Sequence, residues 1–369
     1  MSHTMTVDST DVLIVGAGIA GFGVAAHLAT DRSVLLIEQF DTPTSQTTGR
    51  SAAQFIAGYG GVLIQPFSLA SQDWFVEGGG EGPTLLEPRG MLTIASVADT
   101  ELLHRDGDEV SVDAALELCP ALRPERVVGA WYDERVFDID VAEAVTVFRR
   151  VARRHGAEIR LACRFVSAER VADRWRVTTS QGVIEAGAIV NAAGAWADEI
   201  AVACGVPPVG LVPMRRTACT FRYRGDVDHR AWPLVFSAAE TWYFKPEPGQ
   251  IMASLAEETP TEPHDVRPEE EDLALCLDRI NEETTLAPRS LTSSWAGLRT
   301  FAPDRGFVLG PDPAEPSFVW CAGQGGFGIQ AAPAISESVA ALMRTGDLPS
   351  EVLAGGATAA GVSAGRFAR

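Results

Sequence analysis

The stretch DVLIVGAGIAGFGVAAHLATDRSVLLIE, residues 11–38, decides how this chain folds. Residues 11–15 (DVLIV) are short, apolar and largely β-branched, the pattern of a strand buried on both faces. GAGIAG follows, then small and apolar residues at helical spacing over 21–30, then a second buried strand at 33–38 that ends in an acid. Together these make one βαβ unit. Gly16 permits the tight turn, Gly18 lets the backbone approach a pyrophosphate, and Gly21 lets the helix lie close on the strand. Glu38, 17 residues after Gly21, is placed to accept ribose hydroxyls. Ile19, Ala20 and Gln39 flank these positions and are read as part of the same cradle. The unit is expected to hold ADP at a helix N-terminus, and an acid rather than an arginine after the second strand speaks against a ribose 2′-phosphate.

At 369 residues the chain is long enough for two to three domains of about 150 residues each. Its 46% apolar and 21% charged residues are near globular averages, which argues against disorder, collagen-like repeats and coiled coil. A formal charge of −19 would repel a phosphate backbone or an anionic bilayer, so nucleic acid is not an expected partner. Six cysteines, Cys119, Cys163, Cys204, Cys219, Cys276 and Cys321, are scattered without a C-x-x-C, as suits reduced thiols in a cytoplasm. The first eleven residues carry no Lys or Arg, so the basic region of an export signal is missing. The longest apolar run, 12–28, is broken by glycines and His27 and is too short to span a bilayer. No transmembrane segment is expected. No His and carboxylate cluster has ligand spacing, so no metal is expected either.

Further along, residues 42–50 read as a polar loop, 51–59 as a small-residue helix, 67–76 as a helix and 90–96 as a strand. Residues 140–155 carry apolar positions at helical spacing with four arginines near the end, where cations complement the dipole. Short strands are predicted at 157–161, 166–171, 175–179, 182–186 and 188–192. After a linker at 207–213, the segments 215–223, 233–237, 241–245, 250–255 and 293–300 are strand-like and would make an antiparallel sheet, with an amphipathic helix at 268–283. The last buried strand, 317–322, runs into GQGGFG and a helix over 329–344. A helix beginning near Gly326 or Gly328 would present a positive dipole to an anionic ring edge.

The motifs TTGRSAAQFIAGYG (47–60), VFDID (136–140), VNAAGAW (190–196), RRTA (215–218), WYFKP (242–246), WAGLR (295–299) and GQGGFGIQ (323–330) resemble, in the same order, the D-amino acid oxidase, glycine oxidase and sarcosine oxidase family of FAD enzymes, and within it the D-arginine dehydrogenases. The resemblance runs over nearly the whole chain. It implies an α/β fold: a Rossmann-type FAD-binding domain of residues 1–62, 139–206 and 303–369, and a discontinuous, antiparallel-sheet α+β substrate domain of 63–138 and 207–302. It implies FAD as cofactor, held without covalent attachment, since Cys321 sits inside a buried strand.

On the same resemblance Arg216 and Arg299 look like the pair that grips a substrate carboxylate, with Tyr243 assisting and Tyr59 on the lid side. In a strand the adjacent Arg215 points to the opposite face and is a rival for the role of Arg216. Thr48, Gly49, Arg50 and Ser51 look like the loop that reaches phosphate or ring atoms, and Ala193, Gly194 and Trp196 like the turn beside it. Gly325, Gly326, Gly328, Ile329 and Gln330 look like the segment flanking flavin and substrate amine, with the Gly326 carbonyl as an amine acceptor. Where the D-arginine dehydrogenases have an active-site histidine this chain has Gln54, and Met91 stands where they have a glutamate. Ile56 replaces a threonine, and Leu234 and Phe236, spaced to share one strand face, would line the same pocket. A buried guanidinium without a carboxylate is costly, so an apolar or aromatic D-amino acid is expected instead of a cationic one.

The implied reaction is oxidative deamination: hydride passes from Cα to flavin N5, and the imino acid hydrolyses to a 2-oxo acid and ammonia. Solvent, Tyr59 or Tyr243 would take the amine proton, because no histidine lies in the matched motifs. Oxidation of a secondary amino acid or of glycine, and flavin binding without turnover, are the alternatives. Either oxygen or a quinone-like compound would serve as electron acceptor.

Overall fold

The computed structural model describes residues 8–80, 82–99 and 101–367. Asp8–Val15 and Val34–Ile37 are neighbouring parallel strands joined by the helix Ile19–Leu28. Alternate residues of these strands feed two cores. Val12, Ile14, Val34 and Leu36 pack with Phe22, Phe148 and Ile335 from three helices. Leu13, Val15, Leu35 and Ile37 pack with Trp175, Val177 and Trp320 on the other face. Burial on both sides explains why the two strands read as unbroken apolar runs.

Among the described residues the first sheet has eight strands, running Phe165–Val171, Arg174–Thr179, Gly182–Asn191, Asp8–Val15, Val34–Ile37, Glu158–Arg160, with Phe318–Ala322 beside Gly182–Asn191 and Val308–Pro311 beside that. The two short strands predicted over 182–192 are one ten-residue strand. Its first half pairs antiparallel with Arg174–Thr179, and its second half parallel with Phe318–Ala322.

Among the described residues the second sheet has nine strands, including Val212–Arg222, Leu291–Phe301, Gln250–Ser254, Tyr243–Glu247, Leu234–Ser237 and Met91–Ser96. It is not purely antiparallel, because Leu234–Ser237 pairs in parallel with Met91–Ser96 from the earlier segment. The architecture is therefore α/β with a discontinuous second layer, as the sequence implies. No helix among the described residues is long and apolar enough to cross a membrane.

Two expectations need correction. Residues 51–59 are not a helix: Gln54–Ile56 is a strand in a small third sheet with Val136–Ile139 and Leu86–Pro88. Ala53 enters it at φ 59°, a left-handed conformation that no helix continues. Residues 64–76 and 85–86, assigned above to the substrate half, instead pack against the first sheet. Helix Gln65–Val76 buries Phe67 and Phe75 in the same core as Phe22 and Ile335, and Gln330 and Ala334 bond to its serines.

Candidate active site

A cavity of about 620 Å³ is lined by both large sheets, a volume within the range of cofactor and ligand sites. At one end lie Gly16, Gly18, Ile19, Ala20, Glu38 and Gln39, the C-terminal ends of two parallel strands and the turn between them. The Glu38 carboxylate accepts from Ala17 N (2.8 Å) and Phe40 N (3.0 Å), which fixes it at the strand end. Helix Ile19–Leu28 starts at Gly18 without a side-chain cap on its N-cap residue, although Ile19 N does reach Thr48 Oγ1 at 3.1 Å.

A side chain at Gly194 would meet nothing within 4 Å, so open space lies beside it. With Ala193 and Trp196 it lines the cavity next to Thr48 and Ser51. A helix N-terminus whose Gly18 brings no capping side chain, a fixed acid and that open space fit the ADP half of a dinucleotide. Cys163, Arg164, Phe165 and Val166 also line this end. Sequence reading missed them because they follow an edge strand with no motif; the signal was structural, a pairing of Cys163 N with Glu38 O at 2.7 Å.

The other expected residues divide sharply. Gly21 does not line the cavity; a Cβ there would lie 1.9 Å from Gly16 O, so its role is close packing. Gly49 lies off this cavity too, and its Cβ would meet Thr44 O at 2.6 Å. Arg50 lines the cavity, yet its guanidinium is consumed elsewhere: it donates to Ser45 O (2.9 Å), Val266 O (2.9 Å) and Ala296 O (3.0 Å) and pairs with Asp265. It clamps the loop to the second sheet and has a single Nη2 hydrogen left for a phosphate.

Gln330 is likewise used up, accepting from Ile56 N and donating to Ile56 O and Ser68 Oγ. The helix predicted over 329–344 begins at Ala332, after a series of turns through Gly325, Gly326, Gly328 and Ile329, so its dipole does not start at Gly326 or Gly328. These turn residues, apart from Phe327, still line the cavity.

At the opposite end Arg216 and Arg299 face the cavity with Tyr59, Tyr243, Gln54, Ile56, Ala218, Leu234, Phe236 and Met252. Ala218 and Met252 were not foreseen. Arg215 is excluded as the inner residue: it points away and pairs with Glu269 (2.7 Å) and Asp272 (2.9 Å) of the helix Glu270–Glu283 region. Burial first, and then the like charge of Arg299, push the Arg216 guanidinium down to about 10, still cationic at neutral pH. The Arg299 guanidinium has no ion pair among the described residues and lies 3.0 Å from where a Cβ on Gly326 would sit. Two mutually repelling guanidinium groups at a cavity wall are a site for an anion.

Tyr243 stacks on Phe236 at 5.9 Å. Tyr59 lies edge-on to His104 and Phe236, and its hydroxyl reaches Glu240 at 3.5 Å. Burial, followed by Glu240, raises the Tyr59 phenol to about 12, so it stays protonated at neutral pH and is unsuited to act as a base. His104 stands behind the aromatic wall, a neighbour that its place in a loop concealed.

Met91 is a correction: it does not line the cavity but is buried beside Leu234, its partner in the parallel register. Gln54 lines the wall and donates to Asp138, which also accepts from Arg89 Nε (2.7 Å) and Lys245 Nζ (3.1 Å). Lys245 is 8% exposed. Asp138→Ala removes one of the two carboxylates that lie 3.1 Å from that buried ammonium among the described residues, and leaves Glu247, which is the more exposed of the two. We expect a loss of about 2–4 kcal/mol in stability, read as the urea midpoint; an unchanged midpoint would show the network to be dispensable.

The chain is 24% identical over 328 residues to the bifunctional protein ThiO/ThiG of Synechocystis, covering 83% of this chain and 47% of that protein. It is 26% identical over 333 residues to glycerol-3-phosphate dehydrogenase 1 of Mycobacterium tuberculosis, covering 78% and 62%. Against monomeric sarcosine oxidase of Streptomyces avermitilis it is 23% identical over 372 residues, covering 91% and 94%. The chain thus spans less than two thirds of the first two relatives. The solved structure of L-proline dehydrogenase from P. horikoshii shares the fold, with TM-score 0.76 at 21% identity over 92% of this chain and 94% of that one. A model of the family described as DAO, FAD dependent oxidoreductase, matches residues 11–342, and with the glycine cradle and the fixed acid of Glu38 in place this chain belongs to that family of FAD-dependent oxidoreductases.

Proposed function

We propose that the enzyme deaminates a D-amino acid with an apolar or aromatic side chain, yielding the imino acid and then a 2-oxo acid and ammonia. The observation that carries this reading is the presence of Arg216 and Arg299 at one end of the cavity, together with an apolar surface of Ile56, Ala218, Leu234, Phe236 and Met252. FAD, held by the cradle around Gly18 and Glu38, supplies the hydride acceptor when bound.

The two guanidinium forks bind the substrate carboxylate, with the Tyr243 hydroxyl beside them, and so fix where Cα points. Tyr59, kept neutral, offers a donor and closes one side of the wall. Among the described residues lining this end none is acidic, so a cationic side chain would lie unpaired. The D configuration rests on the motif resemblance given above. With Tyr59 protonated and His104 behind the wall, the amine proton leaves to solvent. Six buried, free cysteines support a reducing, cytoplasmic setting.

The similarity to a sarcosine oxidase favours a second reading, an N-alkylated amino acid held by the same arginines. Anaerobic bleaching of the bound flavin separates them. Apolar and aromatic D-amino acids are expected to bleach it, while L-isomers, D-arginine and glycerol 3-phosphate leave it yellow. Bleaching by N-methyl amino acids alone would replace the first reading with the second.

A further inference from the structure

Arg216 has a neighbour that no part of the proposed reaction uses. The strand Val212–Arg222 pairs antiparallel with the short strand Thr259–Pro260, Arg215 opposite Thr259, and this register brings Glu258 alongside Arg216. Glu258 Oε1 lies 3.4 Å from Arg216 Nη2. The same carboxylate is held more tightly from the other side, because Arg305 Nη2 donates to both of its oxygens at 2.9 and 3.0 Å. The Arg305 side chain is half-exposed, and its guanidinium rests 3.8 Å over the Phe301 ring. Neither Glu258 nor Arg305 lines the cavity. One carboxylate is therefore shared unequally between two guanidinium groups, of which the inner one faces the cavity.

We infer that Glu258 is an internal competitor for Arg216, held off by Arg305, and that this pair of positioning residues sets how tightly Arg216 binds a carboxylate ligand. The inference rests on the reading of Arg216 as a carboxylate clamp. The chemistry follows from the distances. A carboxylate at 3.4 Å leaves the Arg216 donor and most of its charge available, whereas one at about 2.8 Å would make a charge-assisted bond and occupy it. Without Arg305, the remaining cationic partner of Glu258 among the described residues is Arg216. Glu258 then closes inward, and an incoming carboxylate must displace it.

The test is a double-mutant cycle on the FAD-loaded enzyme, with benzoate as an unreactive carboxylate and its Kd read from the perturbed flavin spectrum, alongside KM and kcat for the best amino acid. Glu258→Gln is expected to lower the benzoate Kd about three- to tenfold, and Arg305→Met to raise it by a similar factor. The double variant should match Glu258→Gln alone, since Arg305 acts only through Glu258. Arg305→Lys should restore the parent value, and kcat at saturation should hold in all four while KM follows Kd. If Arg305→Met still weakens benzoate in the Glu258→Gln background, or if both single changes move Kd the same way, the inference is wrong. Arg216→Met separates the two levels. A benzoate Kd unaltered by that change removes the clamp itself, whereas a weakened one with an additive cycle removes only the role of Glu258 and Arg305.

Discussion

Replacing Arg299 with methionine is expected to lower kcat/KM by about a hundred- to a thousandfold while leaving the thermal midpoint of the substrate-free enzyme unchanged or higher. The first half follows from the loss of one fork of a two-fork clamp: a buried, charge-assisted contact to a carboxylate is removed, at a cost of a few kcal/mol in binding. Most of the effect should appear in KM. Part should fall on kcat as well, because a carboxylate held by Arg216 alone can pivot and Cα loses its fixed direction. The second half is what distinguishes a ligand-binding arginine from a structural one. Arg299 has no ion pair among the described residues and raises the cost of the charge on Arg216, so deleting it relieves a repulsion rather than breaking a bond. Functional residues commonly carry such a stability cost. Lysine at the same position should rescue poorly, since a point charge on a flexible stem does not reproduce a planar fork. A variant that unfolds several degrees early yet keeps its KM would mean that Arg299 holds the fold and that the anion site lies elsewhere.

How much of this site was readable in the sequence depends on how local its constraints are. The cradle of residues 11–38 is continuous, and each of its parts is dictated by backbone geometry within one turn, so strand, glycines, helix and acid could all be read directly. Leu234 and Phe236 were legible for a related reason: the period of two along a strand puts both on one face. The choice between Arg215 and Arg216 was not legible, because it depends on which sheet face the distant acids Glu269 and Asp272 cover. Arg50 and Gln330 misled in the same way. Both are polar residues within motif segments, but their donors are met by carbonyls and hydroxyls more than two hundred residues away in the chain. Residues 51–59 read as a helix from composition, and only the pairing of Gln54–Ile56 with Val136–Ile139 makes them a strand. Met91 shows the limit of gap placement: the right sheet face, but one strand to the side of the cavity wall, buried beside Leu234. His104 had no signal at all, being brought to Tyr59 by two amides that bond Ala238 O from a loop.

The three glycines of the cradle should fail in three distinguishable ways, and the contrast tests whether FAD is held where the fold implies. Alanine at Gly21 places its Cβ 1.9 Å from Gly16 O and 3.1 Å from Gly16 C. Those are backbone atoms of the turn, which cannot rotate aside, so the helix must move off the strand. Loss of both stability and FAD retention is expected, with the midpoint falling by several degrees and FAD affinity by about a hundredfold or more. Alanine at Gly16 meets Ala192 O at 2.5 Å and must also adopt φ 108°, a conformation open to glycine but not to L side chains. It should be the most damaging to the apo fold.

Gly18 is different. Its φ of −78° is ordinary, and an added Cβ would meet only Thr48 Oγ1 at 3.2 Å, a contact that a shift of a few tenths of an ångström relieves. Gly18→Ala should therefore leave the apo midpoint within about a degree of the parent, because without a ligand the methyl has room. Its effect should appear only when a pyrophosphate is brought against the helix N-terminus, where the methyl takes up the space needed for close approach. Apo thermal unfolding and titration with FAD, followed by flavin fluorescence, measure the two quantities separately. Weak FAD binding with an intact apo midpoint at Gly18→Ala, set against a lowered midpoint at Gly21→Ala, is the expected pattern. Normal FAD affinity in Gly18→Ala would mean that the pyrophosphate does not lie over this turn.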